Sequence, residues 1–219
     1  MKYVILCGGE YVGWETPRQL LRLPSGESIV ERTIRLLNEA GITDSDIFLT
    51  ATDKRFYDLG YPVIEHENKY NGINGRWLEA FPAIFEKVCY IFGDVIFSPD
   101  AIKRITGTEE GQQAIHFFGS APPFADIYPK SWAEPFAFKV FNPEHFLECI
   151  SETYWRWENG HFRRNPIAWE LWWVIGGKDT VGLNEYDNYD AICDYTCDVD
   201  HVGELERMIA FWNEKGVTL

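Results

Sequence analysis

The sequence predicts an α/β protein in which helices cover both faces of a mixed, mostly parallel sheet. Continuous apolar runs at residues 3–6 and 88–92 each lead into glycine, a pattern typical of buried parallel strands that end at the edge of a sheet. Between them lies a well-marked amphipathic helix that begins near Ser28. Strand and helix patterns alternate at short intervals through this half of the chain. We therefore expect a Rossmann-like three-layer α/β/α fold.

The first half of the chain contains clear starts and ends for its elements. The first helix begins at Ser28, which forms a capping-box pattern with Glu31, and it ends at Gly41. Ser98 followed by proline predicts the start of another helix, and residues 73–85 also have helical periodicity. Four short apolar runs have the length of buried strands. These runs lie at residues 3–6, 47–50, 62–64 and 88–92.

The second half is less regular but continues the same pattern. We predict strands at residues 114–118 and 136–140, a tryptophan-rich helix at 166–175 and a last helix at about 201–214. Neither an internal repeat nor a low-complexity linker interrupts the chain. We therefore expect one domain over residues 1–219, with a regular part at about 1–110 and an irregular elaboration at about 111–219.

Composition excludes several classes of function. The formal net charge of −14 disfavours a stable nucleic-acid partner, because such binding depends on cations that neutralise phosphates. No apolar run approaches the roughly 18 residues that a membrane-spanning helix needs. The five cysteines are scattered, without the spacing of a zinc site or a disulfide framework. We therefore expect reduced thiols in a cytoplasmic protein that does not insert into membranes.

A glycine-containing loop follows the first predicted strand. Gly8, Gly9 and Glu10 begin this loop, and glycines there allow backbone N–H groups to approach a phosphate closely. The spacing matches neither the G-x-G-x-x-G pattern nor a P-loop, so the loop alone also fits an ordinary turn. Arg18 follows a few residues later and is well placed to bind a triphosphate through two parallel hydrogen bonds.

Acidic residues lie where a divalent cation would be held. Gly93 and Asp94 come directly after the predicted strand at 88–92, at the strand end where open α/β sheets bind ligands. Asp198 and Asp200 alternate along a second predicted strand, so both side chains point to one face. Carboxylates from two such strands can hold Mg²⁺ together with substrate phosphates. We favour Asp200 over Asp198 as the second metal ligand.

The order of these motifs resembles the nucleotidyltransferase family that activates sugars, sugar alcohols and choline phosphate. Pro-Arg-Gln followed by two leucines is similar to the Pro-Lys-Gln element of cytidylyltransferases, and the whole set is nearest to phosphocholine cytidylyltransferase-type members. The segments that carry the resemblance are residues 7–13, 17–21, 26–32, 67–75, 90–95, 168–170 and 196–200. They occur in the family's order along most of the chain.

The resemblance implies a reaction and a set of roles. The reaction is Mg²⁺-dependent transfer of a nucleotidyl group from a nucleoside triphosphate, with CTP favoured, to a small phosphorylated acceptor, with release of pyrophosphate. Catalytic roles fall on Arg18, Asp94 and Asp200, and the two aspartates bind the metal. Nucleotide contacts are expected from Leu6, Gly8, Gly9, Glu10, Arg18, Asn74, Gly75 and Gly93. Trp169 and Glu170 match a Trp-acid element and are expected to bind substrate.

Two other functions remain open. A nucleotide-sugar-dependent glycosyltransferase shares the α/β core and an acidic metal site, but it more often has Asp-x-Asp where residues 93–96 read Gly-Asp-Val-Ile. A catalytically degenerate nucleotide-binding protein is the second alternative. The loop carries Glu10 and Glu15 without a basic residue, and Arg18 stands where the family has lysine.

The acceptor side of the site is predicted from the second half of the chain. Lys139 lies inside the predicted strand at 136–140 among apolar residues, so we expect its ammonium group to face a specific partner such as substrate. The second half is also rich in tryptophan. An aromatic box for a cationic acceptor is one interpretation, but core packing is the favoured one. The tryptophans concerned are Trp155, Trp157, Trp169, Trp172 and Trp173.

Overall fold

A mixed β-sheet forms the centre of the computed structural model. The structure describes residues 1–8, 15–65, 78, 81, 85–109, 111, 113–177 and 189–219. The strands are β1 (Lys2–Leu6), β2 (Ile47–Ala51), β3 (Val63–Glu65), β4 (Val88–Phe92), β5 (Val95–Ile96), β6 (Ile115–Gly119), β7 (Pro135–Val140), β8 (Tyr189–Ala191) and β9 (Cys197–Asp198). The α-helices are α1 (Ile29–Glu39), α2 (Pro99–Gly107), α3 (Pro143–Glu158), α4 (Ala168–Ile175) and α5 (Glu204–Glu214). Short 3-10 helices lie at Arg18–Leu20, Asp44–Asp46 and Lys54–Leu59.

The strand order of the main sheet is β3-β2-β1-β4-β7-β6-β8. The first four of these strands run parallel to one another, as β1 pairs in parallel with both β2 and β4, and β2 pairs in parallel with β3. Strand β7 is antiparallel to β4 and β6, whereas β8 returns to a parallel pairing with β6. The prediction of a mixed, mostly parallel sheet is therefore confirmed.

Both faces of the sheet are covered, which gives the three predicted layers. Side chains of successive residues in a strand point to opposite faces. In β1 and β4, Ile5 and Ile91 belong to a core with α1, α2 and α5, whereas Val4 and Tyr90 belong to a second core with α3 and α4. Each of these four side chains is completely buried. This two-sided burial explains why the strands read as continuous apolar runs.

The helix starts agree with the sequence signals. The Ser28 hydroxyl accepts a hydrogen bond from the Glu31 N–H at 3.3 Å, and the Ser28 N–H donates to the Glu31 carboxylate at 2.6 Å. This is the predicted capping box, which satisfies N–H groups that a helix start otherwise leaves unpaired. Ser98 caps α2 in the same way by accepting from the Ala101 N–H at 2.9 Å, with proline in the first turn.

A small second sheet brings the end of the chain to the end of β4. Strand β9 pairs antiparallel with β5, so that Val95 lies opposite Asp198. The Val199 N–H donates to the Asp94 carbonyl at 3.0 Å and continues this contact. Two segments about a hundred residues apart in sequence are thereby held side by side. This pairing brings together the acidic residues predicted to bind a metal.

Several elements differ from the sequence prediction. The last helix begins at Glu204 and not near residue 201, because Gly203 precedes it with a left-handed φ of 76°. The sequence pattern did not predict α3, and most of the helix predicted at 73–85 falls outside the described residues.

The part of the chain that the structure describes contains no helix long and apolar enough to cross a membrane.

Candidate active site

A pocket of about 230 Å³ lies at the carboxyl ends of β4 and β9. A wider cleft of about 590 Å³ lies beside α1, but none of the residues predicted to be functional lines it. The smaller pocket is the candidate site because four carboxylates and a guanidinium meet there. Its lining includes Arg18, Asp94, Glu134, Trp169, Asp198 and Asp200.

Arg18 connects the two predicted metal ligands. It begins the first 3-10 helix, and one of its terminal nitrogens lies 3.2 Å from the Asp94 carboxylate. The other terminal nitrogen donates to the Val199 carbonyl at 2.9 Å and lies 3.7 Å from the Asp200 carboxylate. The Arg18 side chain is 23% exposed, so it remains accessible to a ligand. The three predicted catalytic residues therefore lie together, although they come from distant parts of the sequence.

Lys130 is a functional candidate that the sequence did not indicate. Its Nζ donates to the Asp198 carboxylate at 2.8 Å and to the Asp200 carboxylate at 2.7 Å. Only 3% of its side chain is exposed. Burial by itself would lower the pKa of Lys130, but the nearby carboxylates outweigh burial and raise that pKa above its ordinary value. Lys130 therefore remains charged and fixes the orientation of both aspartates.

Glu134 is a second residue that the sequence did not indicate. Its backbone N–H donates to the Ser120 hydroxyl at 2.8 Å, and its carboxylate accepts from the Trp132 indole at 2.7 Å. Burial, together with the negative charge of Asp200, raises the pKa of Glu134. The carboxylate is thus held in a fixed position just before the start of β7, facing the aspartates.

The environments of the aspartates differ. Burial raises the pKa of Asp94, and the Arg18 guanidinium opposes that effect. Burial also raises the pKa of Asp198 well above its ordinary value. Burial also acts to raise the pKa of Asp200, but the hydrogen bond and charge of Lys130, together with Asp198 and Arg18, outweigh burial and lower the pKa of Asp200. Asp200 is therefore the aspartate of the terminal segment whose charged form is better stabilised.

The carboxylates of the pocket suit a hard divalent cation. Oxygen atoms of Glu134, Asp198 and Asp200 lie within 4.8 Å of one another. Asp94 contributes another carboxylate to the same pocket. Oxygen ligands of this kind are those that Mg²⁺ and Mn²⁺ prefer. The donor set therefore fits the divalent metal that the motif order implies.

Glycine at position 93 is required by a close approach of two strands. The Gly93 N–H donates to the Leu6 carbonyl at 3.1 Å. A Cβ atom at Gly93 would lie 2.6 Å from that same carbonyl oxygen and 3.0 Å from the Cys7 sulfur. Gly8 lies two residues past the end of β1. The predicted nucleotide contacts Gly9, Glu10, Asn74 and Gly75 lie outside the described residues.

Of the three residues predicted to bind substrate, only Trp169 lines the pocket. Lys139 is 2% exposed, and its ammonium group donates to the carbonyls of Thr106 and Thr108 at the end of α2. Glu170 accepts from the Ile167 N–H at 3.0 Å and caps α4. The structure therefore does not bring Lys139 or Glu170 to the site, because the polar groups that each one satisfies lie elsewhere.

The tryptophans of the second half mostly pack against other residues. Trp172 is 3% exposed and contacts Trp169 and Tyr189, with ring centroids 5.6 and 5.2 Å apart. Trp155 is 53% exposed and stacks on His161 at 5.8 Å. Core packing is therefore the better description of Trp172, as predicted, and Trp169 both packs in this cluster and lines the pocket.

Comparison with known proteins identifies the class of fold. No protein-family model matches the sequence, and no curated protein sequence matches it. Solved structures do match over nearly the whole chain, and their names include a thymidylyltransferase and a CTP transferase. The sequence identities are all below 20%, so they define the fold and not the activity.

Three of these structures illustrate the match. A structure from Bacillus anthracis, assigned as a glucose-1-phosphate thymidylyltransferase and bound to sucrose, is 16% identical with a TM-score of 0.59, covering 98% of this chain and 96% of its own. The inositol-1-phosphate CTP transferase from T. maritima is 15% identical with a TM-score of 0.52, covering 100% and 98%. Rv0371c from Mycobacterium tuberculosis H37Rv, in complex with manganese, is 16% identical with a TM-score of 0.52, covering 95% and 97%. This chain therefore has the nucleotidyltransferase fold that its motif order predicted.

Proposed function

We propose that the protein transfers a nucleoside monophosphate from a nucleoside triphosphate, with CTP favoured, to a small phosphorylated acceptor and releases pyrophosphate. The main support is that the Arg18 guanidinium lies within 4 Å of the carboxylates of both Asp94 and Asp200, at the carboxyl edge of the sheet. These residues have the charges that phosphoryl transfer needs, since its catalysis rests on positioning and on neutralising phosphate charge. The fold shared with an inositol-1-phosphate CTP transferase adds to this support.

Four residues that line the pocket, and Lys130 beside them, have roles in this proposal. Asp94 and Asp200 hold a divalent cation, for which we propose Mg²⁺, and when bound this ion neutralises charge on the phosphates. Arg18 binds the triphosphate through its planar guanidinium. Lys130 is a positioning residue, because its buried ammonium group orients Asp200. Trp169 forms a wall of the acceptor side.

The loop contacts complete the nucleotide site. We propose that backbone N–H groups at Gly8 and Gly9 bind phosphate and base, with Leu6 at the strand end, and that Glu10, Asn74 and Gly75 contribute as the motif order implies. The N–H of Gly93 already donates to the Leu6 carbonyl. Gly93 therefore contributes by allowing the close approach of β1 and β4 and not by a hydrogen bond from its own amide.

The reaction needs no general base from the protein. An oxygen of the acceptor phosphate attacks the α-phosphorus of the triphosphate and forms a new P–O bond. The bond between the α-phosphorus and the oxygen that bridges to the β-phosphorus breaks, and its electron pair leaves with pyrophosphate. The attacking oxygen is already deprotonated at neutral pH. The side chains therefore have to orient and neutralise, which are the tasks that Arg18 and the carboxylates suit.

The test is pyrophosphate release with a matched pair of variants. The protein is incubated with each nucleoside triphosphate, Mg²⁺ or Mn²⁺, and a panel of phosphorylated acceptors. Asp94→Asn removes a carboxylate of the pocket, and Asp100→Asn makes the same change at a side chain that is 88% exposed on α2. We expect acceptor-dependent release that Asp94→Asn abolishes and Asp100→Asn leaves unchanged.

Other outcomes identify the alternatives. Hydrolysis of UDP- or GDP-sugars without pyrophosphate release would contradict the proposal and favour a glycosyltransferase. Thermal stabilisation by nucleotide with no turnover under any condition would contradict it as well, and would indicate a protein that only binds nucleotide. Release that does not depend on the acceptor would show hydrolysis of the triphosphate and not transfer.

A further inference from the structure

Two cations of the described residues, Lys130 and Arg18, hold the carboxylates of the pocket in different ways. Lys130 is almost completely buried, and its contacts with Asp198 and Asp200 are 2.8 and 2.7 Å long. Arg18 is 23% exposed, and its contacts with Asp94 and Asp200 are 3.2 and 3.7 Å long. Lys130 is thus a fixed part of the site. Arg18 is the cation that a ligand can reach and move.

We propose that the Arg18 guanidinium is an internal counter-ion that competes with the divalent metal for Asp94 and Asp200. Under this proposal the free protein binds the metal weakly, and a triphosphate that attracts Arg18 makes the carboxylates available. Metal and nucleotide then bind with positive coupling. The inference rests on the proposed function, since it takes Asp94 and Asp200 as the metal ligands.

Competition follows from the atoms involved. The carboxylates that contact the guanidinium are the ones that a divalent ion needs, at ligand distances near 2.0–2.1 Å for Mg²⁺. Arginine keeps its charge throughout the accessible pH range, so repulsion between the two cations cannot be relieved by loss of a proton. It can be relieved only if the Arg18 side chain moves. Among its contacts with the described residues, the hydrogen bond to the neutral Val199 carbonyl then remains.

A triphosphate is a suitable partner for the displaced guanidinium. Its oxygens accept two parallel hydrogen bonds from arginine, which makes the pair stronger than a bond to a neutral carbonyl. Lys130 stays with Asp198 and Asp200 throughout, so the carboxylates keep their positions. Because coupling between two ligands is reciprocal, the metal should raise nucleotide affinity by the same factor by which nucleotide raises metal affinity.

The test measures Mn²⁺ binding in the absence of nucleotide, by electron paramagnetic resonance of free Mn²⁺. Three proteins are compared: the wild type, Arg18→Gln, and Arg35→Gln as a control of equal net charge. Arg35 lies on α1, pairs with Glu27 and Glu39, and is not part of the pocket. We expect Arg18→Gln to bind Mn²⁺ about tenfold more tightly than the wild type, because a unit charge is removed a few ångströms from the ligands. Arg35→Gln should bind as the wild type does.

Two results would overturn the inference. One is Mn²⁺ affinity in Arg18→Gln that is equal to or weaker than that of the wild type. The other is an equal gain in Mn²⁺ affinity when Arg18→Gln is added to Asp94→Asn. Arg18 and the metal would then not compete at Asp94. Pyrophosphate release by the wild type, combined with either result, would leave the proposed function standing and reject only the competition.

A measurement on the wild type keeps the inference testable if Arg18→Gln does not fold. Phenylglyoxal modifies accessible guanidinium groups, and peptide mass spectrometry reports the rate at Arg18 and Arg35 separately. Mn²⁺ alone should increase the rate at Arg18 relative to Arg35, since the ion separates Arg18 from its carboxylates. Adding CTP with Mn²⁺ should slow it again. No increase with Mn²⁺, at concentrations that protect the fold against heat, would overturn the inference.

Discussion

The ammonium group of Lys130 lies 2.7 Å from the carboxylate of Asp200 and holds that side chain in the pocket. The same group also donates to Asp198, so one buried cation orients both acidic residues of the terminal segment. Of these two, the ordering of Asp200 matters more for the proposed reaction, because Asp200 also approaches Arg18. A residue 70 positions away in sequence thus determines the geometry of a predicted metal ligand.

Replacing Lys130 by methionine should strongly destabilise the protein. The variant removes the cation and deprives two carboxylates of this hydrogen-bonding partner, a change that typically costs about 3 kcal/mol or more. Urea unfolding monitored by tryptophan fluorescence measures the change. Lys103→Met, at a side chain that is 71% exposed, is the matched control and should change stability by less than about 0.5 kcal/mol. Equal stability of the two variants would contradict the structural role of Lys130.

Glu134→Gln should change how stability depends on pH. The folded protein raises the pKa of Glu134, through burial first and Asp200 second, so the folded state holds the proton more tightly than the unfolded state. This group therefore contributes stability that is fully present below its unfolded pKa of about 4.3 and is lost as the pH rises through the folded value. Glutamine does not ionise, so the variant does not lose this stability as the pH rises. It should therefore be more stable than the wild type at pH 7.

The pH series gives the sign directly. The difference in unfolding free energy between Glu134→Gln and the wild type should shrink as the pH falls from 7 toward 4 and should be smallest at the acid end. The Trp132 indole can still donate to the amide oxygen of glutamine, so this hydrogen bond is kept. A difference that grows toward low pH would show that the charged form of Glu134 is the stabilised one.

Gly93→Ala should disrupt the contact between β1 and β4. The added methyl group would lie 2.6 Å from the Leu6 carbonyl oxygen, a backbone atom that cannot move without breaking strand pairing. We expect a loss of about 2 kcal/mol, within the range for overpacked sites. Gly107→Ala is the control, because a methyl group there meets nothing within 4 Å. Differential scanning calorimetry compares the two, and an equal effect would contradict the close approach.

The sequence predicted those features that depend on neighbours in the chain. The capping box of Ser28 and Glu31 spans only four residues of sequence, and the structure has both of its hydrogen bonds. The sequence also predicted the buried strands correctly, because a strand that is buried on both faces is a continuous run of apolar residues. Arg18, Asp94 and Asp200 were found through the order of motifs, and the structure brings these three together.

Features that depend on contacts between distant segments were missed or misplaced. Lys130 lies in a proline-rich stretch, and its partners follow 68 and 70 residues later without any pattern that connects them. Lys139 was expected to face a specific partner, because apolar residues flank it in its strand. The flanking residues do not specify that partner, however, and the ammonium group donates to carbonyls at the end of α2, outside the pocket. Only three-dimensional pairing distinguishes the two lysines.

Trp169 and Lys139 should behave differently in kinetics. Trp169→Leu removes an aromatic wall of the pocket, and we expect the KM for the phosphorylated acceptor to rise about fivefold, as for loss of one stacking contact. Lys139→Met should lower the melting temperature and leave that KM unchanged, because Lys139 lies outside the pocket. Steady-state pyrophosphate release at varied acceptor concentration measures both. A raised acceptor KM in Lys139→Met would restore the substrate role predicted from its apolar neighbours.

Arg18→Gln should reduce kcat/KM for the nucleoside triphosphate by about 10- to 100-fold, the range expected when a charge-assisted hydrogen-bond pair is lost. Its position beside Asp94 and Asp200 gives it this role, since a triphosphate bound to a metal at these carboxylates would lie within reach of the guanidinium. Arg35→Gln removes the same charge away from the pocket and should leave kcat/KM within about twofold, because isolated surface charges contribute little.

Arg18→Lys separates charge from geometry. If it recovers most of the activity, a point charge suffices; if it remains as impaired as Arg18→Gln, the planar, bidentate geometry of arginine is what the triphosphate requires. Unchanged kcat/KM in Arg18→Gln would contradict the assignment of Arg18 to the nucleotide site.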